Sequence, residues 1–170
     1  ASHTADNSNN RFDIHTGSGD DYINMIGNND NSAVSFNIDA GSGNDTIGLQ
    51  GKYANADIHG GAGNDAVTGS SQGNDTYHFS AGQGNDTFNG AGGVGWADSI
   101  MIDASAPVLI TQNSANSWTL IVDGHAATLV TDVAGTVNNN HIDFNGTANG
   151  TLTMHDGSSV NFQNVDHVEW

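Results

Sequence analysis

Five aspartates stand at the same place in a recurring glycine-rich unit. The unit reads Gly17-Ser18-Gly19-Asp20-Asp21-Tyr22-Ile23, then Gly41-Ser42-Gly43-Asn44-Asp45-Thr46-Ile47, then Gly60-Gly61-Ala62-Gly63-Asn64-Asp65-Ala66-Val67. Two further copies are Gln72-Gly73-Asn74-Asp75-Thr76-Tyr77 and Gly82-Gln83-Gly84-Asn85-Asp86-Thr87-Phe88, and a degenerate sixth ends on Asp98-Ser99-Ile100. The shared pattern is Gly-x-Gly-x-Asp-x-apolar. A glycine-rich turn exposes backbone carbonyls, and each turn adds one carboxylate. Two stacked turns then surround a hard cation with about six or more oxygens and two negative charges, which is calcium chemistry. Magnesium prefers several waters in a stricter octahedron. Soft metals want Cys or clustered His; the chain has no Cys, and its eight His are scattered along the sequence.

The intervals between the aspartates say how the turns must be held. Asp21 to Asp45 is 24 residues, Asp45 to Asp65 is 20, and Asp65 to Asp86 is 21. Asp75 falls between, 10 after Asp65 and 11 before Asp86. This spacing predicts a coil of two short strands and two turns per winding. Asp21, Asp45, Asp65 and Asp86 then stack along one edge. Asp75 lies on the opposite edge, with Asp98 above it. The apolar residue two after each Asp marks a short inward-facing strand, and glycine tolerates the positive φ of the turn before it.

Composition bears on the same point. The chain has 170 residues, enough for one domain of ordinary size, and a net charge of -17. Its acids are 18 Asp and one Glu, against Arg11 and Lys52 alone; there are 23 Gly, 23 Asn and one Pro. Asp favours turns and short-armed ligation, whereas Glu favours helices, so a helical protein is excluded. Two cations cannot neutralise a phosphate track, which excludes nucleic acid, and an anionic membrane surface is unfavourable for the same reason. No apolar run approaches a membrane span. Only 35% of residues are hydrophobic, so the chain is either disordered or held together by cations. A start at Ala1 without Met suggests a piece of a larger chain, expected to be monomeric.

The repeats end near residue 105. Beyond them, Trp118 to Val122, Asp123-Gly124 and Ala127 to Val130 read as a hairpin, as do Leu152 to Met154, Asp156-Gly157 and Val160 to Phe162. His141 to Phe144 and Val165 to Trp170 read as further strands. The expected division is 1–105 for the coil and 106–170 for a small antiparallel β cap.

The repeats resemble the calcium-binding nonapeptide of repeats-in-toxin (RTX) proteins, Gly-Gly-x-Gly-x-Asp-x-apolar-x. By motif the resemblance covers about residues 16–103. It implies an all-β fold: a parallel β-roll with calcium between stacked turns, followed by the antiparallel cap. Carried over by position, the carboxylate ligands would be Asp21, Asp45, Asp65, Asp75 and Asp86, with Asp98 as a further one. Backbone carbonyls of Gly17, Gly19, Gly41, Gly43, Gly61, Gly63, Gly82 and Gly84 would complete the shells. Four stacked turns have three gaps, so about three ions are expected on the first edge and a fourth between the Asp75 and Asp98 turns. The first motif position departs from glycine at Thr16, Ala40 and Ala81, and the second edge is irregular before Asp75.

The resemblance also implies export by a bacterial type I system and folding in extracellular calcium. At -17 the metal-free chain should be expanded, so that ion binding becomes folding energy. The expectation is a secreted, non-enzymatic calcium module serving as a structural and folding part of a large bacterial surface adhesin or toxin. The alternative is a calcium-dependent carbohydrate-binding module on a polysaccharide-active protein. Trp96, Trp118, Trp170, Tyr53 and Tyr77 would then supply sugar-stacking faces, although aromatics at strand positions are more often core. Neutral glycans or a cell-surface receptor are the partners left open. His15, His59 and His78 lie near acidic residues, but no nucleophile–base pair accompanies them, and they are read as turn or solvent-facing histidines.

Overall fold

Alternation sets the strands of the repeat region. In Val34–Ser42, the side chains of Val34, Phe36, Ile38 and Ala40 are buried while Ser35 and Asp39 are exposed. In Ala54–Ala62, Ala54, Ala56, Ile58 and Gly60 are buried and Asp57 is exposed. Each strand thus turns one apolar face inward, as a period of two requires. A computed structural model describes residues 2–6, 10–26, 34–51, 54–93 and 95–170.

The repeat region supplies β1 (Ser2–Asp6), β2 (Arg11–Ser18), β3 (Tyr22–Ile26), β4 (Val34–Ser42), β5 (Thr46–Gln50), β6 (Ala54–Ala62), β7 (Ala66–Thr68), β8 (Asp75–Phe79), β9 (Asn85–Asn89) and β10 (Ser99–Ile102). The rest supplies β11 (Leu109–Ser114), β12 (Ser117–Val122), β13 (His125–Thr131), β14 (Gly135–Val137), β15 (His141–Thr153) and β16 (Ser159–Glu169). The fold is all-β, with no helix among the described residues. Its first part is a parallel β-solenoid of about four turns. The even strands β2, β4, β6, β8 and β10 pair in parallel as one sheet, and the odd strands β3, β5, β7 and β9 as the other. β1 is antiparallel to β2.

Register makes the core a set of columns. Ile14, Ile38, Ile58, Tyr77, Ile100 and Val168 stand in line through the first sheet. Ile23, Ile47, Val67, Phe88 and Phe162 do so through the second. All of these side chains are buried. A slip of one residue would turn a whole column to solvent, so the core fixes the stacking of the turns.

After β10 the chain leaves the solenoid for antiparallel strands. β11, β12, β13, β15 and β16 pair in that order, with β14 beside β15. Asp123 and Gly124 have φ of 49° and 83° and form the tight turn between β12 and β13. β16 then has two roles. It is antiparallel to β15, yet its first half pairs in parallel with β9 and its second half in parallel with β10. One strand therefore lays the last rung on both sheets, covering edges that would otherwise be open to pairing.

The glycines that turn the coils are sterically required. Gly61 has φ of +98°, and a Cβ there would overlap the Gly41 carbonyl oxygen. Gly61→Ala is expected to cost about 2–4 kcal/mol, from backbone strain plus overlap. Gly48→Ala, whose Cβ would meet nothing nearer than 3.9 Å, should be close to neutral. Chemical denaturation of the two variants side by side in calcium tests the difference.

Candidate metal centres

The first edge is a ladder of aspartates. Asp45 Oδ1 accepts the Asp21 backbone N–H at 2.7 Å, Asp65 Oδ1 accepts that of Asp45 at 2.8 Å, and Asp86 Oδ1 accepts that of Asp65 at 2.9 Å. The backbone carbonyls of Asp21, Asp45 and Asp65 accept the N–H of Thr46, Ala66 and Thr87 from the next coil. Each aspartate is thus tied to its neighbour by both main chain and side chain. A parallel ladder of amides runs outside it: Asn44 Oδ1 accepts the Asn64 N–H, and Asn64 Oδ1 accepts that of Asn85. The column ends on Val160, which pairs with Asp86.

The glycines named with this edge stack in the turns. Gly17 lies beside Gly41, and Gly41 beside Gly61. Added Cβ atoms at Gly43, Gly63 and Gly84 would overlap the carbonyl oxygens of Gly19, Gly43 and Gly63. Carbonyl oxygens therefore fill the space that side chains would take. Gly17, Gly19 and Gly82 have nothing within 4 Å of an added Cβ. The Gly84 carbonyl accepts the Ser159 N–H at 2.8 Å.

The second edge repeats the device. Asp98 Oδ1 accepts the Asp75 N–H at 2.9 Å, and Asp166 Oδ2 accepts the Asp98 N–H at 2.9 Å. Asp166 is the residue that the repeat pattern does not reveal. It comes 68 residues after Asp98, without the glycine-rich unit, and only β16's register on β10 brings it into line. Asn164, at φ of 55°, takes the left-handed turn position there. Below Asp75 the column is apolar, with Ala56 and then Phe36. Among the described residues, the earlier coils therefore place no aspartate in this column. Residues 27–33 of this edge lie outside the described residues.

The buried carboxylates are short of donors. Asp45, Asp65, Asp75, Asp86 and Asp98 are at most 2% exposed. Asp21 Oδ2, Asp45 Oδ2, Asp65 Oδ2 and Asp75 Oδ1 are buried without a hydrogen-bond partner. The Ser70 N–H covers Asp75 Oδ2 at 2.5 Å, and the Tyr77 hydroxyl donates to Asp86 Oδ2 at 2.8 Å. Burial pushes Asp75 and Asp98 up to about 7 and Asp86 up to about 6. Asp45 and Asp65 are also raised, by burial first and by neighbouring carboxylates. Burial and Asp86 hold the Tyr77 phenol well above its usual range, so it remains a donor. A buried anion without a donor needs a proton or a cation. Stacked carboxylates, donorless oxygens and packed carbonyls are an all-oxygen donor set, which fits calcium and suits no soft metal.

Other residues singled out in the sequence are placed differently. Trp118 and Tyr77 are fully buried in the core, so neither offers a sugar-stacking face. Trp96 and Trp170 are partly buried, and Tyr53 lies outside the described residues. The histidines, scattered in sequence, are not scattered in space. The rings of His59 and His78 stack at 4.0 Å, and those of His125 and His155 at 4.1 Å. His15 Nδ1 lies 3.4 Å from Asp39. For His59 and His78, the in-register stacking of β6 on β8 converts a separation of about one coil into side-by-side contact. No protein-family model, curated protein or solved structure matches the chain.

Proposed function

We propose that this chain is a calcium-binding β-roll module of the RTX type, which folds when calcium binds after export. It would serve as a structural and folding part of a large extracellular adhesin or toxin on a bacterial surface. The observation that supports this reading is the pair of in-register aspartate columns with buried, donorless oxygens. Calcium supplies positive charge between turns that otherwise repel. The chain's own residues do the rest. Asp21, Asp45, Asp65 and Asp86 line one edge and Asp75, Asp98 and Asp166 the other, while the glycines let the turns close tightly. Secretion and the adhesin or toxin role rest on the resemblance of the repeats.

Calorimetric titration of calcium into metal-depleted protein tests the reading, with magnesium as control. Several calcium ions per chain, and no comparable magnesium uptake, are expected. Asp166 lengthens the second column, so the count should drop when Asp166 is replaced by Ala. No calcium uptake at millimolar concentration would overturn the proposal.

A further inference from the structure

The outward face of the even-strand sheet carries a second kind of cluster, made of nitrogen as well as oxygen donors. Register on β6 and β8 sets His59 beside His78, and Asp57 two residues before His59 on the same face. Asp103, just past β10, is held there by its N–H donating to the Phe79 carbonyl at 3.0 Å. His78 lies between two carboxylates. Its Nε2 is 2.7 Å from Asp57 Oδ1, and its Nδ1 is 2.7 Å from Asp103 Oδ1. His59 repeats the arrangement more loosely, with Nε2 3.8 Å from Asp57 Oδ1 and Nδ1 3.9 Å from Asp103 Oδ2.

A neutral imidazole has one N–H and cannot donate to both carboxylates. In the neutral ring the other nitrogen carries a lone pair, which can ligate a metal. A divalent cation between the Nε2 atoms and Asp57 would use that lone pair on each ring. Both rings then keep their Nδ1 protons directed at Asp103, the carboxylate–histidine–metal arrangement that orients ligands in metal sites.

We propose that Asp57 Oδ1, His59 Nε2 and His78 Nε2 form a site for a divalent transition metal of the zinc class, oriented by Asp103. One ligand atom from each of the three residues lies within 4.8 Å of the others. Tetrahedral zinc spaces its ligands about 3.3 Å apart at bond lengths of about 2.0–2.1 Å. The gaps of 2.7 and 3.8 Å to Asp57 straddle that value, so small side-chain rotations close the site. The mixed N and O donors select against calcium. Asp57 is 59% exposed, so a fourth position is open to water or an added ligand. The site is separate from the aspartate columns, whose carboxylates are buried, and it does not rest on the calcium reading. It would clasp β6 to β8, and through Asp103 the end of β10, from outside.

The test is calorimetric titration of zinc chloride into the whole chain in calcium buffer, with circular dichroism to confirm that each variant is folded. One zinc site is expected, weakened at least roughly tenfold by Asp57→Asn, His78→Ala or His59→Gln. Asp103→Asn should weaken it by roughly 10–100-fold without removing a ligand. His125→Ala, at the other stacked pair, should leave this site unchanged. His59→Gln alters the more exposed ring and guards against loss of fold in His78→Ala. Absence of zinc binding, or binding that these substitutions do not weaken in folded protein, would overturn the proposal.

Discussion

Asp65→Asn should stabilise the chain without calcium and destabilise it with calcium. The side-chain oxygen of Asn can still accept the Asp45 N–H that Asp65 Oδ1 accepts at 2.8 Å. What is lost is a buried charge whose second oxygen has no donor and which faces Asp45 in the same column. Removing an uncompensated buried charge is worth about 1–3 kcal/mol. With calcium present the balance reverses, because Asp65 stands between two gaps and its charge serves both. Calcium affinity should fall at least tenfold, about 1.4 kcal/mol for each affected ion. Denaturation midpoints of the variant and the parent chain in calcium, and their residual β content by circular dichroism without it, decide this. Shifts of the same sign in both conditions would mean that Asp65 is only a turn former. Asp39→Asn is the matching control, because Asp39 is exposed on the outer face and belongs to neither column.

The second large effect is a dependence of the metal-free fold on pH. Burial raises Asp75 and Asp98 to about 7 and Asp86 to about 6 in the folded chain. In the unfolded chain they return to about 3.9. Between these values the folded state binds more protons than the unfolded one. Stability is therefore full below about pH 4 and is lost as pH rises through 6 to 7. One carboxyl moved from 3.8 to about 7 corresponds to something of the order of 4 kcal/mol. That is comparable with the whole stability of a small domain, about 5–15 kcal/mol. Asp13, Asp132 and Asp156 are held low by hydrogen bonds and act in the opposite sense, but they lie at the surface. Protein stripped of metal on a chelating resin should thus unfold more easily at pH 8 than at pH 5. Calcium should flatten the profile, because it replaces the protons on the same oxygens. A metal-free chain that gains stability from pH 5 to pH 8 would contradict this.

The parts of the site that obey a local rule could be read from the sequence. The 24-, 20- and 21-residue steps between aspartates reappear as hydrogen bonds from Asp21 to Asp45, Asp45 to Asp65 and Asp65 to Asp86. The placement of Asp98 over Asp75 follows from the same rule. The hairpin at Asp123-Gly124 was legible because that turn demands positive φ at both residues. What depends on a long return of the chain was not legible. β16 is a solenoid rung without a repeat motif: Val160 stands where the column would have an aspartate, and Asp166 extends the other column. Nor does the sequence interval between His59 and His78 suggest a cluster. Their contact needs the residue-by-residue register of β6 on β8, which the buried Ile58 and Tyr77 set from the opposite face.

In the proposed module, cations rather than apolar burial alone would hold these turns together. Far-UV circular dichroism during a calcium titration of metal-depleted protein at pH 8, with magnesium as control, tests this most directly. A cooperative coil-to-β transition driven by calcium and not by magnesium is the predicted result. A full β spectrum before any calcium is added, unchanged through the titration, would contradict it.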